Sequence, residues 1–257
     1  MHVRSARSPG RETLISSWEG EANELNLIRL VLAPGSSESL AFDGEEAAIV
    51  LLDGAVTFEA AGQRYGAERE NPFVKRASAL YLPPGTKATV QADQQSELLV
   101  ATTACEESGQ VAFIGPEQVV VNARGKGVYV REVHDILVSD PYAKRLLVGE
   151  TFNPPGNWSS FPPHKHDGED DEPYLEEVYY YRLSPSQGFG YQGLYATDGS
   201  LDEGYTVRDG DAVLISRGYH PVAAAPGYSL YYLWVLAGEQ RQLVVFEDPA
   251  HRWLHQQ

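Results

Sequence analysis

Cysteine is almost missing from this 257-residue chain, in which Cys105 is the single example. One thiol cannot form an intramolecular disulfide framework, and it cannot build a thiolate zinc site by itself. Any bound metal ion would therefore have to use histidine and carboxylate ligands.

Long apolar runs are missing as well. No stretch approaches the roughly 20 apolar residues that a membrane-spanning helix needs. The start of the chain carries positive charge, but no apolar segment follows it, so a secretory signal is not readable. We therefore expect a cytoplasmic protein without a membrane partner.

Basic residues are in the minority, with 20 Lys and Arg against 36 Asp and Glu, for a formal net charge of −16. Such a field repels phosphate backbones, and no basic stripe interrupts it, so we expect no nucleic-acid partner. The acidity is typical of a well-solvated surface. An anionic substrate would need locally clustered Arg or Lys.

Long helical periodicity is absent too, whereas Gly and Pro are spread evenly between short runs rich in Val, Leu, Tyr and Thr. This punctuation predicts an all-β protein. Residues 47–59 are predicted to form a hairpin that turns at Asp53-Gly54. Residues 88–103 predict two strands around Gln94-Gln95.

The second half repeats this pattern at a spacing of about 130 residues, which predicts two related barrels. We place them at residues 1–125 and 126–257, with residues 106–132 as the connection. The first barrel is expected to lack metal ligands, because it has no histidine between His2 and His134. Exposed edge strands predict a homo-oligomer.

Three of the seven histidines lie in strand-like contexts of the second half. Because side chains two apart on a strand share a face, His164 and His166 should point into the barrel, and Lys165 away from it. By the same period Glu177 faces inward and Glu176 outward. His220 follows a glycine turn and can return beside the first pair.

Three imidazoles and one carboxylate suit a single divalent ion, with zinc favoured and Mn, Fe, Co or Ni as alternatives. The loop 167–172 leaves a second cation site open. Its residues are all acidic except Gly168. Such a run can bind calcium, although it is more often a solvated loop.

Several longer strings resemble one family, the 5-deoxyglucuronate isomerases of inositol catabolism, within the cupin superfamily. They are residues 156–167 (Gly-Asn-Trp-Ser-Ser-Phe-Pro-Pro-His-Lys-His-Asp), 175–182 (Leu-Glu-Glu-Val-Tyr-Tyr-Tyr-Arg), 217–222 (Arg-Gly-Tyr-His-Pro-Val) and 225–228 (Ala-Pro-Gly-Tyr). The resemblance implies a double cupin and places the metal ligands at His164, His166, Glu177 and His220. The chain departs from the family pattern at Trp234, where Asn is usual, and at Ser216, where Pro is common.

The resemblance implies a sugar acid as substrate: 5-deoxy-D-glucuronate would isomerise to 5-dehydro-2-deoxy-D-gluconate through a metal-assisted enediol. The substrate carboxylate calls for a cation, and Arg217 is preferred over Arg182, which is out of phase with Glu177. The predicted site residues fall into two groups. Glu177, Arg217 and Tyr219 are candidate catalytic residues, and Arg182, Tyr179, Tyr181 and Gln192 are candidate substrate contacts.

Three other functions share this ligand set. A cupin dioxygenase would also bind iron through three histidines and a glutamate, and it would consume oxygen. A sugar-binding cupin would need no catalysis. A related isomerase would act on the hexulose uronate of pectin breakdown, although residues 157–160 and 179–182 favour the inositol branch.

Overall fold

The computed structural model describes residues 1–256, and the regular secondary structure of this range is almost entirely β-strand. The strands up to residue 124 are β1 (His2–Arg4), β2 (Gly10–Ile15), β3 (Leu25–Leu32), β4 (Ser37–Ala41), β5 (Glu45–Ala60), β6 (Gln63–Arg69), β7 (Ala79–Leu82), β8 (Lys87–Ala92), β9 (Ser96–Ala104), β10 (Ala112–Ile114) and β11 (Val120–Arg124). The predicted strands around Gln94-Gln95 are confirmed as β8 and β9.

The strands after residue 124 are β12 (Arg131–Leu137), β13 (Leu146–Asn153), β14 (Trp158–Ser159), β15 (His164–Lys165), β16 (Glu176–Ser184), β17 (Gly190–Tyr195), β18 (Asp202–Val207), β19 (Asp211–Ile215), β20 (Val222–Ala224), β21 (Ser229–Ala237) and β22 (Phe246–Glu247). Short 3-10 helices occupy Gly127–Tyr129 and Pro249–Gln256. Neither of these helices, nor any other helix of residues 1–256, is long and apolar enough to cross a bilayer.

The first half consists of two antiparallel sheets that share β5. One sheet has the order β10-β7-β5-β9-β3-β2, and the other joins β4, β8, β5 and β6. The predicted hairpin at Asp53-Gly54 is wrong, because β5 runs through this point and changes sheets there. Gly54 has a φ of +101°, and a Cβ on it would lie 2.2 Å from the Ser96 Oγ. The glycine marks a bend with close strand contact, not a turn.

The second half has the same plan. A seven-stranded antiparallel sheet runs β1-β19-β16-β21-β13-β12-β11 and faces a four-stranded sheet, β14-β20-β17-β18. The pair β15-β22 adds a small third sheet beside them. The all-β class is therefore confirmed.

The division of the chain near residue 125 stays a prediction, but strand pairing crosses it. The N-terminal β1 pairs with β19, and β11 pairs with β12, so both belong to the large second-half sheet. The connection that the sequence predicts over residues 106–132 thus contains two strands, β10 and β11.

Apolar side chains form three clusters, one inside each half and one between the halves. In β16, Val178 and Tyr180 belong to the cluster between the halves, whereas Tyr179 and Tyr181 point into the second half. Because both faces of this strand are buried, its central residues 178–181 are apolar or aromatic on both sides. The two-residue period alone decides which side chains reach the interior.

Two buried carboxylates link the halves in matching ways. Glu176, at the start of β16, accepts hydrogen bonds from the backbone N–H groups of residues 23–25, at 2.8 to 3.0 Å for the shortest contact of each. Glu46, near the start of β5, accepts from the N–H groups of residues 144–146 at 2.6 to 2.9 Å. Each half therefore satisfies backbone donors of the other.

A fully buried ion pair adds a third link. The Arg69 guanidinium in β6 meets the Glu150 carboxylate in β13 with two N–H···O contacts, of 2.7 and 3.1 Å, and neither side chain is exposed. The Tyr231 hydroxyl donates to the same carboxylate at 2.8 Å. The Arg69 guanidinium lowers the pKa of Glu150 against the opposing effect of burial, which keeps the pair charged.

Arg69→Met should destabilise the fold by about 3–5 kcal/mol, because it leaves the Glu150 charge buried without its counter-ion. Urea unfolding followed by circular dichroism measures the loss. Arg64→Met in the same strand is the control, since Arg64 is exposed, and it should change stability little. Equal effects of both substitutions would contradict a structural role for the buried pair.

Candidate metal centre

The His-Lys-His segment lies at the rim of the second-half sandwich, where β15 pairs with β22. The rings of His164 and His166 lie with centroids 5.3 Å apart. Lys165 extends elsewhere: its ammonium lies 3.0 Å from Glu172 and 3.1 Å from Asp170. The strand period thus separates the lysine from the two imidazoles.

The acidic loop 167–172 therefore surrounds a cation that the chain itself supplies. The Lys165 ammonium lies within 4.0 Å of carboxylate oxygens of Asp167, Glu169, Asp170 and Glu172. These carboxylates account for the buried position of the lysine. A separate calcium ion is not needed to explain the acidic run.

The turn before His220 brings this ring to the same place. Gly218 adopts a φ of +89°, and a Cβ on it would lie 2.9 Å from the Tyr195 carbonyl oxygen. The Asp167 carboxylate accepts the Gly218 N–H at 2.9 Å, which ties the turn to the loop after His166. The Gln192 amide donates to the His220 carbonyl oxygen at 2.9 Å.

Three imidazoles and one carboxylate consequently meet. The His220 ring centroid lies 4.7 Å from that of His164 and 5.0 Å from that of His166. One potential ligand atom from each histidine lies within 4.8 Å of the others. The Glu177 Oε2 is 3.1 Å from the His166 Nε2 and 3.2 Å from the His220 Nε2.

The protonation of these rings suits metal ligation. Burial, together with neighbouring His166, lowers the pKa of His220 to about 4 despite the Glu177 carboxylate. Burial and the two other imidazoles hold the pKa of His164 well below its usual value. Both rings are uncharged at neutral pH, so each has a lone pair for a cation.

Buried histidine nitrogen atoms without hydrogen-bond partners also favour metal ligation. The His220 Nδ1 lies 2.9 Å from the Gly218 carbonyl oxygen, and as a donor there it leaves Nε2 with the free lone pair. Within residues 1–256, the His220 Nε2 and the His166 Nδ1 are buried without a hydrogen-bond partner. Buried polar atoms of this kind need a partner, and the donor set fits a divalent ion.

The centre opens into a cavity of about 610 Å³. Its walls combine aromatic, basic and hydroxyl side chains with the C-terminal segment. Besides His164, His166 and Glu177, the lining includes Arg124, Lys126, Tyr129, Arg131, Val133, Asp135, Thr151, Ser160, Phe161, Tyr179, Tyr232, Trp234, Leu236, Leu243, Val245, Glu247 and His255. The volume is in the range of small-molecule sites.

Of the candidate substrate contacts, Tyr179 lines this cavity, and its hydroxyl lies 3.0 Å from the Ser160 Oγ. Tyr181 and Gln192 lie behind it, where the tyrosine hydroxyl donates to the amide oxygen. Because the Gln192 NH₂ group donates to the His220 carbonyl oxygen, this pair helps to fix the backbone position of His220.

The two predicted arginines lie elsewhere. Arg217 is exposed, and its guanidinium donates to the Ser200 carbonyl at 3.3 Å, because the turn before Gly218 carries it outward. Arg182 lies on the opposite face of β16 from Glu177 and is ion-paired there with Asp53, Glu97 and Asp209. Neither belongs to the cavity lining that residues 1–256 form.

Tyr219 is also turned away from the cavity. Its ring stacks on Tyr195 with centroids 5.1 Å apart, because it alternates with the inward-facing His220. Sequence reasoning missed Arg131, Tyr232 and Ser160, which do line the cavity. Ser160 belongs to the family-like string 156–167, whereas nothing local distinguishes Arg131 within the predicted connection.

The fold and the site define a double cupin. A variant of the oxalate decarboxylase from Bacillus subtilis superposes with a TM-score of 0.67 over 96% of this chain and 79% of that one, at 12% identity. At this identity the likeness shows the fold alone.

The chain belongs to the KduI/IolB family, whose sequence model matches residues 3–254. An IolB-like protein from Salmonella typhimurium LT2 superposes with a TM-score of 0.94 at 36% identity, covering 99% of each chain. The 5-deoxy-glucuronate isomerase of Geobacillus kaustophilus is 40% identical over 229 residues, 87% of this chain and 83% of that protein. The Bacillus subtilis strain 168 enzyme of the same name is 37% identical, with coverages of 88% and 85%.

Gly149→Ala should distort the cavity wall, because a Cβ there would lie 2.1 Å from the Trp234 indole and 2.6 Å from the His134 carbonyl oxygen. Overpacking of this kind costs about 1–3 kcal/mol, which a thermal melt detects as a lower Tm. Gly66→Ala is the matched control in a strand, since nothing lies within 4 Å of its Cβ position. A wild-type Tm for Gly149→Ala would contradict the tight fit around Trp234.

Proposed function

We propose that this protein is an aldose–ketose isomerase that converts 5-deoxy-D-glucuronate to 5-dehydro-2-deoxy-D-gluconate. The observation that carries the proposal is the convergence of three imidazoles and one carboxylate at a cavity large enough for a sugar acid. Membership in the KduI/IolB family and the names of the relatives described above support the same reaction.

We further propose that His164, His166, Glu177 and His220 hold one divalent ion per chain, with zinc favoured over Mn, Fe, Co and Ni. When bound, such an ion acts as a Lewis acid that acidifies the carbon-bound proton next to a carbonyl. Glu177 contributes the one negative charge of the set. The first half contributes no ligand to this site, because it has no histidine between His2 and His134.

The other cavity residues would position the substrate. The Tyr179 hydroxyl and the Ser160 Oγ form one hydrogen-bonding pair, and the Tyr232 hydroxyl donates to the Ser159 Oγ at 2.9 Å. The oxygens of such pairs can accept from or donate to sugar hydroxyls. Trp234 supplies an apolar wall beside them. Together these groups would hold the open-chain sugar and limit access of water to it.

The alternative functions have less support. No feature of residues 1–256 specifically favours a dioxygenase, a non-catalytic sugar-binding cupin or the hexulose uronate isomerase. The cytoplasmic location and the homo-oligomer stay predictions from the sequence.

The deciding experiment is an assay of 5-deoxyglucuronate turnover with metal analysis of the same gently purified sample. We expect turnover without oxygen consumption and one equivalent of metal per chain. His166→Ala should remove metal and activity together, whereas Lys165→Ala should spare the metal, because its ammonium lies in the acidic loop. No metal after reconstitution, or equal metal loss in both variants, would contradict the site.

The adjacent glutamates give a second test. Glu177→Gln should weaken metal affinity, because a neutral amide is a poorer ligand than a carboxylate. We expect a loss of at least about 10- to 100-fold, which is the usual effect of removing a residue that only hydrogen-bonds to a metal ligand. Glu176→Gln should keep the metal content of the wild type. Because Glu176 accepts N–H groups of residues 23–25, its substitution should instead lower the Tm. Retention of metal by Glu177→Gln together with its loss from Glu176→Gln would reverse the ligand assignment.

A further inference from the structure

Arg131 differs from every other arginine of residues 1–256 that is not exposed. Each of the others is ion-paired with a carboxylate: Arg29 with Glu97, Arg69 with Glu150, Arg145 with Glu24, Arg182 with Asp53, Glu97 and Asp209, and Arg241 with Asp140. No carboxylate of the described residues lies within 4.0 Å of the Arg131 guanidinium. In a chain with 36 acidic residues, this lack of a counter-ion calls for a cause.

The position of Arg131 is fixed by the backbone. Its Nη1 donates to the carbonyl oxygens of Tyr129 at 3.2 Å and Phe161 at 3.1 Å. Phe161 lies three residues before His164, so the guanidinium is held beside the metal-site segment, and it lines the same cavity. Burial lowers the pKa of the guanidinium, although not enough to discharge an arginine.

The remaining donors of this side chain are available. Within residues 1–256, Nε and Nη2 of Arg131 have no hydrogen-bond partner, while Nη1 makes both backbone contacts. Nε and Nη2 form the edge of the guanidinium that meets a carboxylate with two parallel N–H···O bonds. A half-buried, unpaired edge of this type is suited to a carboxylate that arrives with a ligand.

Other charged residues line the cavity near Arg131. Arg124 and Lys126 come shortly before Arg131 in the chain and line the same cavity. They add positive charge to a lining that also contains the carboxylates Asp135 and Glu247. Three basic residues thus line one cavity, and among them Arg131 is the one that is not exposed.

We propose that Arg131 binds the carboxylate of the sugar-acid substrate, and that it sets the preference of the enzyme for acids over neutral sugars. The inference rests on the proposed isomerase function and deepens it. The substrate carboxylate would meet the Arg131 guanidinium, and the substrate aldehyde would lie at the histidines. In this assignment Arg131 positions and selects the substrate, while the isomerisation occurs at the histidines.

The test compares 5-deoxyglucuronate with 5-deoxy-D-glucose, which has the same aldehyde end and a neutral CH₂OH group in place of the carboxylate. Arg131→Gln should lower kcat/KM for the acid by about 10- to 100-fold, mostly through KM, because two charge-assisted hydrogen bonds are lost. The value for the neutral sugar and the metal content should stay near those of the wild type. Arg208→Gln, at an exposed position, should change neither substrate's kinetics.

Two results would overturn the inference: an equal loss for both sugars, or loss of the preference for the acid in Arg217→Gln rather than in Arg131→Gln. Calorimetric binding of D-gluconate, an acid without an aldehyde, separates this inference from the proposed reaction. If the wild type isomerises neither sugar but binds gluconate only with Arg131 intact, the anion site stands and the proposed reaction fails. Gluconate binding that is absent, or unchanged by Arg131→Gln, would refute the anion site.

Discussion

The two faces of β16 are the constraint on which the rest of the structure depends. Because both faces are buried, a shift of the register by one residue would exchange every side chain between two different environments. Glu177 points into the second-half cavity and meets two imidazoles, whereas Glu176 points to the first half and accepts three backbone N–H groups. The candidate metal centre and the contact between the halves therefore depend on the same strand register.

The same contacts link the first half to the candidate site, although the first half has no histidine between His2 and His134. The Glu176 and Glu46 carboxylates bind backbone donors of the opposite half in matching positions, and the Arg69–Glu150 pair joins the sheets between them. A buried charge that loses its partner is strongly destabilising, so these contacts hold one relative position of the halves. The first half thus packs against β16 and β13, which contribute residues to the cavity wall.

The parts of the site that could be predicted from the sequence are those that depend on the two-residue alternation of side chains along a strand. The meeting of His164, His166 and Glu177 follows from side chains two apart on strands, and the structure brings them together with His220. Asp53-Gly54 shows the limit of local signals, because the same dipeptide serves a tight turn or, as here, a bend in a strand that passes close to Ser96. Only the tertiary contact distinguishes the two.

Arg131 was beyond sequence reasoning for a different reason. An arginine next to a ligand in sequence, such as Arg217, is no nearer to the ligand in space if the turn sends it outward. Arg131 is distinguished by the absence of a carboxylate partner. Ion pairs between residues distant in sequence can be identified only from the three-dimensional structure. Lys165 makes the complementary point, since it is adjacent to two histidines and yet neutralises the acidic loop. The carboxylates of that loop pair with Lys165, and Glu177 is the carboxylate that meets the imidazoles. The charge of Arg131 is not neutralised by any carboxylate of the described residues. Within the cavity lining, Glu177 thus meets the imidazoles, whereas Arg131 keeps a positive charge that can meet an anion.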